Sequence, residues 1–424
     1  MRSFRFVHAA DIHLDSPLKG LSGHEGKVAD RIRTATREAF DNLIGHTIDE
    51  EADFIIIAGD LYDGEWRDYH TGLFFARQMG RLAKAGIPAY VLYGNHDAES
   101  QITRRLELPD NVSAFSARKP ETFTLKELRV AIHGQSFGQR DVTDNLVPAY
   151  PEPIASVFNI GVLHTGLGGM GGHPNYAPCT IDDLVNKGYH YWALGHVHQG
   201  GILRERPHVV FPGNLQGRHI RETGPKGAYV VTVEDGEVAE LALFHADVVR
   251  WAVIPVTVDG CGRTVDVVDA VRDAIEEAVA RDADGRLVAG RIHLHGRTEI
   301  HDQLVGSAEH LLAEARAAAL GLGDEVAWVE RLVVATEPAL DRVTLVARED
   351  ALGELQRMLI DAREDPEVLE QIKADIGEFV RELPHEVRAD AEDAILKAAI
   401  NGDHAGLIGQ VTGYLTARIA EEDK

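Results

Sequence analysis

Residues 54–63 read FIIIAGDLYD: five apolar positions, a glycine, and two carboxylates three residues apart. A short unbroken apolar run of this kind is a strand covered on both faces, the pattern of parallel strands inside α/β layers. Asp60 and Asp63 follow it immediately. They therefore sit beyond the strand's C-terminal end, where open α/β sheets collect their ligand sites. Working outward, similar strand-like runs occur at Phe4–Ala10, Ala89–Tyr93, Leu128–His133, Phe158–His164 and Tyr191–Leu194. Four of them lead into or end on further polar sets: Asp11-x-His13, Gly94-Asn95-His96-Asp97, Gly161-x-x-His164 and Gly195-His196-x-His198. Between the first two strands, Ile32, Ala35, Ala39, Leu43 and Ile48 recur at helical spacing, so Lys27–Glu50 is expected to form an amphipathic helix. Thr71–Ala85 reads as a second.

Beyond these elements come a strand at Val209–Phe211 and a hairpin, Ala228–Val233 and Val238–Phe244, turning at Asp235-Gly236. The pattern restarts near Arg250. Strands at Val253–Val258, Arg291–His295 and Val326–Val334 alternate with helices at Val265–Ala280 and Gln303–Ala319, which predicts a second, compact α/β unit. After about Ala347 only helical spacing remains: Leu352, Leu355 and Leu359, then Val368, Ile372, Ile376 and Val380, then Ile395, Leu407, Val411 and Leu415, punctuated by Pro366 and Pro384. The expected divisions are 1–248, 249–345 and 346–424.

The 424 residues are 44% hydrophobic and 26% charged, an ordinary globular composition. No run of about 18 apolar residues is present, so no membrane span is expected. Two cysteines, Cys179 and Cys261, provide no disulfide framework and no thiolate metal site. The opening MRSFRFVHAADIH runs straight into a strand pattern rather than an apolar signal segment, and a cytoplasmic location is expected. Net charge is −25, of which −10 falls in the last 79 residues. Such a chain is a poor general clamp for polyanions, although the first 250 residues, at −7, leave room for local contact with nucleic acid.

The five polar sets offer carboxylate oxygen, amide oxygen and imidazole nitrogen without sulfur, a mixture suited to manganese, iron or zinc. Seven ligands are too many for one ion. They suit two if a carboxylate bridges, and paired ions about 3.5–4 Å apart are a standard device for hydrolysing phosphate esters.

The ordered motifs D-x-H, G-D-x-x-D, G-N-H-D, G-x-x-H and G-H-x-H resemble those of the calcineurin-like metallophosphoesterase superfamily. Within it, the opening FVHAADIHLDSPL and the stretch FPGNLQGRHIRETGPKGA (211–228) resemble the SbcD-type DNA repair exonucleases, particularly their YhaO-like branch. The resemblance implies a layered α/β fold: a β-sandwich flanked by helices, with a small α/β cap domain and C-terminal helices. It implies that Asp11, His13 and His198 hold one metal, that Asn95, His164 and His196 hold the other, and that Asp60 bridges them. His96 would be the catalytic acid, oriented by Asp63, and Asp97 a supporting or loop-capping residue. Some nucleases of the family carry His where this chain has Asp63. The residues Asp63-Gly64-Glu65 and Asp97 depart from the Asp-Arg-Gly and Glu of the related protein phosphatases.

The expected activity is a metal-dependent DNA exonuclease or phosphodiesterase of DNA repair, using two divalent ions with manganese foremost and zinc or iron as alternatives. The other reading is a phosphoesterase of nucleotides or cyclic nucleotides. A third is a subunit whose main task is assembling a repair ATPase. Expected partners are DNA and an SMC-like coiled-coil ATPase docked on the C-terminal helices; a homodimer is left open, and no membrane is expected. Among the remaining candidates, His8 and the pair His293-x-His295 are expected to be structural, His173 to be a surface-loop residue, and Cys179 and Cys261 inert. Arg218, His219 and Arg221 follow Gly213-Asn214 and are either phosphate contacts or an exposed charged loop.

Overall fold

A computed structural model describes residues 3–18, 27–63, 69–99, 108–170, 174–323, 325–339, 346–347, 349, 351–383 and 394–408. Gly64, Glu65, His173, Pro384, Val411 and Leu415 lie outside the described residues. The chain forms two compact units. One comprises Met1–Ala252 with Asp282–Ala289 and Asp324–Val326; the other comprises Val253–Arg281, Gly290–Gly323 and Ala327–Lys424.

The first unit holds two six-stranded sheets. In chain order its strands are β1 (Phe4–Ala9), β2 (Phe54–Ala58), β3 (Ala89–Leu92), β4 (Val112–Ala114), β5 (Glu121–Leu125), β6 (Val130–Gly134), β7 (Phe158–His164), β8 (Tyr191–Gly195), β9 (Gly201–Glu205), β10 (His208–Phe211), β11 (Gly227–Glu234) and β12 (Glu237–His245). One sheet has the order β12-β11-β1-β2-β3-β4 and the other β5-β6-β7-β8-β10-β9. Strands β1 to β4 run parallel, as do β6, β7, β8 and β10, while β11, β12, β5 and β9 pair antiparallel at the sides.

The alternation along FIIIA explains the apolar run. Phe54, Ile56 and Ala58 join Phe4, Phe6, Ile132, Phe158, Ile160 and Tyr191 in one buried cluster, drawn from both sheets. Ile55 and Ile57 face the opposite way, into a second cluster with Phe40, Leu43 and Ile44 of helix α1 (Lys27–Asp49) and Phe75, Met79 and Leu82 of helix α2 (Tyr69–Lys84). Leu163, Trp192 and Leu194 pack on the other outer face with Tyr150 and Leu184. Both faces of β2 are thus apolar, and its polar residues, Asp60 and Asp63, come after its end. The strands missing from the sequence reading, β4, β5 and β9, are at or near sheet margins; β9 has the half-exposed sequence GILRE. Such margins carry little hydrophobic signal.

The second unit centres on strands β13 (Val249–Thr257), β14 (Leu287–Thr298) and β15 (Ala327–Pro338), in that order in one sheet. A helix at Thr264–Asp282 buries Val267, Val271, Ile275 and Ala278 at helical spacing. The single helix expected at Gln303–Ala319 is two, His301–Gly306 and Ala308–Gly321. The break is Ser307, whose φ of −106° and ψ of 19° leave the helical region and whose hydroxyl bonds back to the Gln303 carbonyl at 2.5 Å. Helices at Ala351–Glu364, Pro366–Glu382 and Ala394–Asn401 follow. The middle one starts cleanly because Asp365 caps the Glu367 amide at 2.8 Å and Pro366 occupies the first turn. It buries none of its residues.

Candidate metal centre

Each predicted donor is delivered by the C-terminal end of a parallel strand. Asp11 and His13 follow β1, Asp60 follows β2, Asn95 and His96 follow β3, His164 closes β7, and His196 and His198 follow β8. Backbone bonds carry the β1–β2 pairing past the strand ends: the amides of Asp11, His13 and Leu14 donate to the carbonyls of Gly59, Asp60 and Leu61, each at 3.0 Å. Asp11, His13, Asp60 and His196 all adopt positive φ, at 50°, 47°, 51° and 97°. Non-glycine residues adopt this conformation at a cost of about 1–3 kcal/mol and persist in it only where the surroundings force it. Glycine precedes the donors for lack of space. A Cβ on Gly94 would run into the Asp60 carboxylate, and one on Gly195 into the Ala58 carbonyl.

The loops are stitched together by the donors themselves. The Asp11 carboxylate accepts the His196 amide at 2.9 Å, and Asp60 Oδ1 accepts the His96 amide at 3.0 Å. Asp97 accepts the amides of Leu61, Tyr62 and Gly94 at 3.1, 2.9 and 2.9 Å, so it clamps the Asp60 loop to its own. Burial pushes both Asp11 and Asp97 up to about 7. Burial also raises Asp60, but the neighbouring His164, His96 and His13 outweigh it and hold that carboxyl below the usual range.

Among the described residues, three groups of side chains converge closely enough to hold a metal ion: Asp11 with His13 and His198, His13 with Asp60 and His96, and Asp60 with His164 and His196. The ring orientations fit that use. His164 Nδ1 faces the Ala58 carbonyl at 3.0 Å, which can only accept, so a hydrogen is there, and Nε2 presents a lone pair whenever the ring is neutral. That lone pair points at Asn95 Oδ1 (3.0 Å) and Asp60 Oδ2 (3.4 Å), also acceptors. His196 Nε2 likewise faces the Pro174 carbonyl at 2.9 Å, and His198 Nδ1 faces the Glu222 carboxylate at 2.6 Å. His198 Nε2 is therefore a lone pair as well, 3.2 Å from His13 Nε2. His13 Nδ1 is buried, makes no hydrogen bond and stands 3.7 Å from Asp63. Acceptors packed against acceptors repel unless a cation lies among them. Atoms about 2.0–2.2 Å from a common ion stand about 3.0–3.5 Å apart, as His164 Nε2 does from Asn95 and Asp60 and His198 Nε2 from His13, while His198 Nε2 stands 4.0 Å from Asp11 Oδ1. Burial pulls His13 down to about 4 and His198 well below its ordinary value, so both rings are neutral, as ligands must be. At His164 burial is outweighed by Asp60, and the ring is pushed up to about 9, a measure of how strongly this cluster attracts positive charge.

His96 is about one-third exposed, and its Nδ1 meets Asp63 Oδ1 at 3.0 Å. Burial lowers its pKa, but the Asp63 hydrogen bond and the Asp60 and Asp63 charges prevail, so it is raised. Asp63 also accepts the Ser16 hydroxyl at 2.7 Å. Arg218 reaches this group, with Nη1 3.2 Å from Ser16 Oγ and 3.7 Å from Asp63, whereas Arg221 is exposed. The structural reading of His8 agrees with what is found. His8 is buried between the Tyr191 hydroxyl and the Leu194 carbonyl, and neither His293 nor His295 joins a metal-capable group among the described residues. Glu222 was missed. It is the only acid between Glu205 and Glu234, and that isolation beside Arg218, His219 and Arg221 was its one available signal.

Residues 4–200 match the family of calcineurin-like phosphoesterases. This segment is a calcineurin-like phosphoesterase domain. Residues 251–337 match a second family, the middle domain of metallophosphoesterase YhaO. The "Uncharacterized metallophosphoesterase YhaO" of Bacillus subtilis is 42% identical over 238 residues, 55% of this chain and 58% of that protein. The "DNA double-strand break repair protein Mre11" of Sulfurisphaera tokodaii is 28% identical over 272 residues, 60% of this chain and 66% of its own length. Each match thus spans less than two thirds of the relative. A solved dimetal phosphatase from Danio rerio aligns with 10% identity and a TM-score of 0.35, covering 55% of this chain and 93% of its own. No helix among the described residues is long and apolar enough to cross a membrane.

Proposed function

We propose that the chain hydrolyses DNA phosphodiester bonds with two divalent ions, manganese foremost. The observation that carries this reading is Asp60, which groups with His13 and His96 on one side and with His164 and His196 on the other, as a carboxylate shared by two ions would. Asp11, His13 and His198 would hold one ion, Asn95, His164 and His196 the other, and Asp60 both. Two such ions supply charge to the nonbridging phosphate oxygens and acidify a water.

His96 has a separate task. As an imidazolium it donates a hydrogen bond from Nδ1 to Asp63, retaining that proton, and would pass the Nε2 proton to the leaving oxygen, a general-acid role. Asp63 holds that ring in place and favours its protonated form. Arg218 brings a permanent positive charge to the same side and suits an adjacent phosphate. DNA as substrate is supported by the similarity to a protein named for double-strand break repair and by the second unit, which a small-molecule esterase does not need. With a net charge of −25 the chain attracts DNA poorly at a distance. A coiled-coil ATPase sharing the task would dock on the helix Pro366–Glu382.

The test is an assay of the wild type and His96→Ala on labelled linear and circular DNA with manganese, with the metal content of both proteins measured. Cleavage by the wild type alone, with equal metal content, supports both the substrate and the division of labour. Loss of metal in His96→Ala makes His96 a ligand. Hydrolysis of a small phosphodiester with intact DNA refutes DNA as the substrate of the chain alone.

A further inference from the structure

We infer that Glu222 is a positioning residue that sets the metal affinity of one donor set alone, the set containing His198. The inference rests on the two-metal reading above.

The two sets are braced differently. His164 and His196 lean on neutral backbone carbonyls, those of Ala58 and Pro174. Among His164, His196 and His198, only His198 has a carboxylate behind its ring, at 2.6 Å. Glu222 is 6% exposed and firmly held itself: its Oε2 accepts Asn214 Nδ2 at 2.9 Å and the Arg218 amide at 2.7 Å. The backbone of His198 is gripped from the same segment, because its carbonyl accepts the buried Lys226 ammonium at 3.1 Å and the Asn214 amide at 3.3 Å. A charged acceptor behind an imidazole fixes the hydrogen on the far nitrogen and makes the near one a stronger donor to metal. Loss of such a partner typically weakens metal binding about 10–100-fold.

Glu222→Gln separates charge and tautomer from shape. The Asn214 and Arg218 donors would claim the single carbonyl oxygen of the glutamine. Its amide hydrogens would then face His198 Nδ1, transferring the ring hydrogen to Nε2 and removing the lone pair that the site needs. The other set, with no bond to Glu222, would be untouched. A general loosening of the fold would instead weaken both sets.

The experiment is manganese titration of the full chain by equilibrium dialysis, with electron paramagnetic resonance to separate coupled from isolated ions. Wild type is expected to bind two coupled ions. Glu222→Gln is expected to bind one with affinity within about twofold of wild type and the second at least about tenfold more weakly, with an isolated-ion spectrum at low loading. Equal weakening of both ions, or of neither, overturns the inference. A wild type that binds fewer than two ions overturns the two-metal reading itself, and this inference with it. Nitrogen-15 spectra of histidine-labelled wild type test the tautomer without a variant. The His198 hydrogen, assigned through its loss in His198→Gln, should lie on Nδ1 and far downfield; a hydrogen on Nε2 overturns the inference.

Discussion

The strand ends of the first unit and the helix Pro366–Glu382 break the inside–outside rule in opposite directions. At the strand ends Asp11, His13, Asp60, Asn95 and His164 are all buried, although they are polar or charged. Along the helix, an amphipathic sequence buries nothing, and Phe379 is 56% exposed. Exposed single apolar residues are ordinary, whereas buried polar groups that fail to satisfy one another are not. The first region therefore identifies its occupant by chemistry: a cation among nitrogen and oxygen lone pairs. The second packs only loosely on its neighbouring helices and, by its own chemistry, names no occupant. Substitutions should accordingly act very unequally in the two regions.

The largest effect is expected at the shared carboxylate. Asp60→Asn should abolish phosphodiesterase activity and release both ions, measured by mass spectrometry of bound metal; retention of two tightly bound ions would remove Asp60 from its bridging role. Next, His96→Ala should cost about 10²–10⁴-fold in kcat with both ions retained. Asp63→Asn should cost less at its best pH and change the shape of the profile. His96 is raised in the wild type, and it acts when protonated, so activity holds below its pKa and falls as pH rises through it. Without the Asp63 carboxylate the Asp60 charge alone opposes burial, and the alkaline limb should move to lower pH. An unmoved limb would assign that limb to another group. The smallest effect is expected on the helix. Phe379→Ser should change stability by no more than about 0.5 kcal/mol, measured by urea denaturation, and leave cleavage of a small phosphodiester as it was. A larger loss of stability would mean that the face is already covered.

Much of this was legible in the sequence, and the limits have physical causes. The FIIIA run and its companions mark central strands because both faces are covered. All seven expected donors and His96 converge because each follows such a strand by a few residues, so placing the strand places the donor. The positive φ at four of these donors was not legible, because Asp and His, although enriched among non-glycine residues in that conformation, occur far more often outside it. Marginal strands such as β9 were invisible because they bury only half a face. The break at Ser307 was hidden because apolar spacing continues through it. Glu222 escaped because the chemistry of a supporting residue lies in its distance to a histidine 24 positions away, which no spacing rule encodes.

The strained donor loops also bear on when the protein meets its ions. Backbone bonds and the Asp97 clamp hold the loops, and those bonds come from the chain alone. The loops are thus braced by the chain itself and not only through shared metal ligands, unlike domains that need metal to fold at all. Because mixed nitrogen and oxygen donors discriminate weakly among first-row metals, the ion carried at a given moment would record the supply around the protein more than any choice written into its chain.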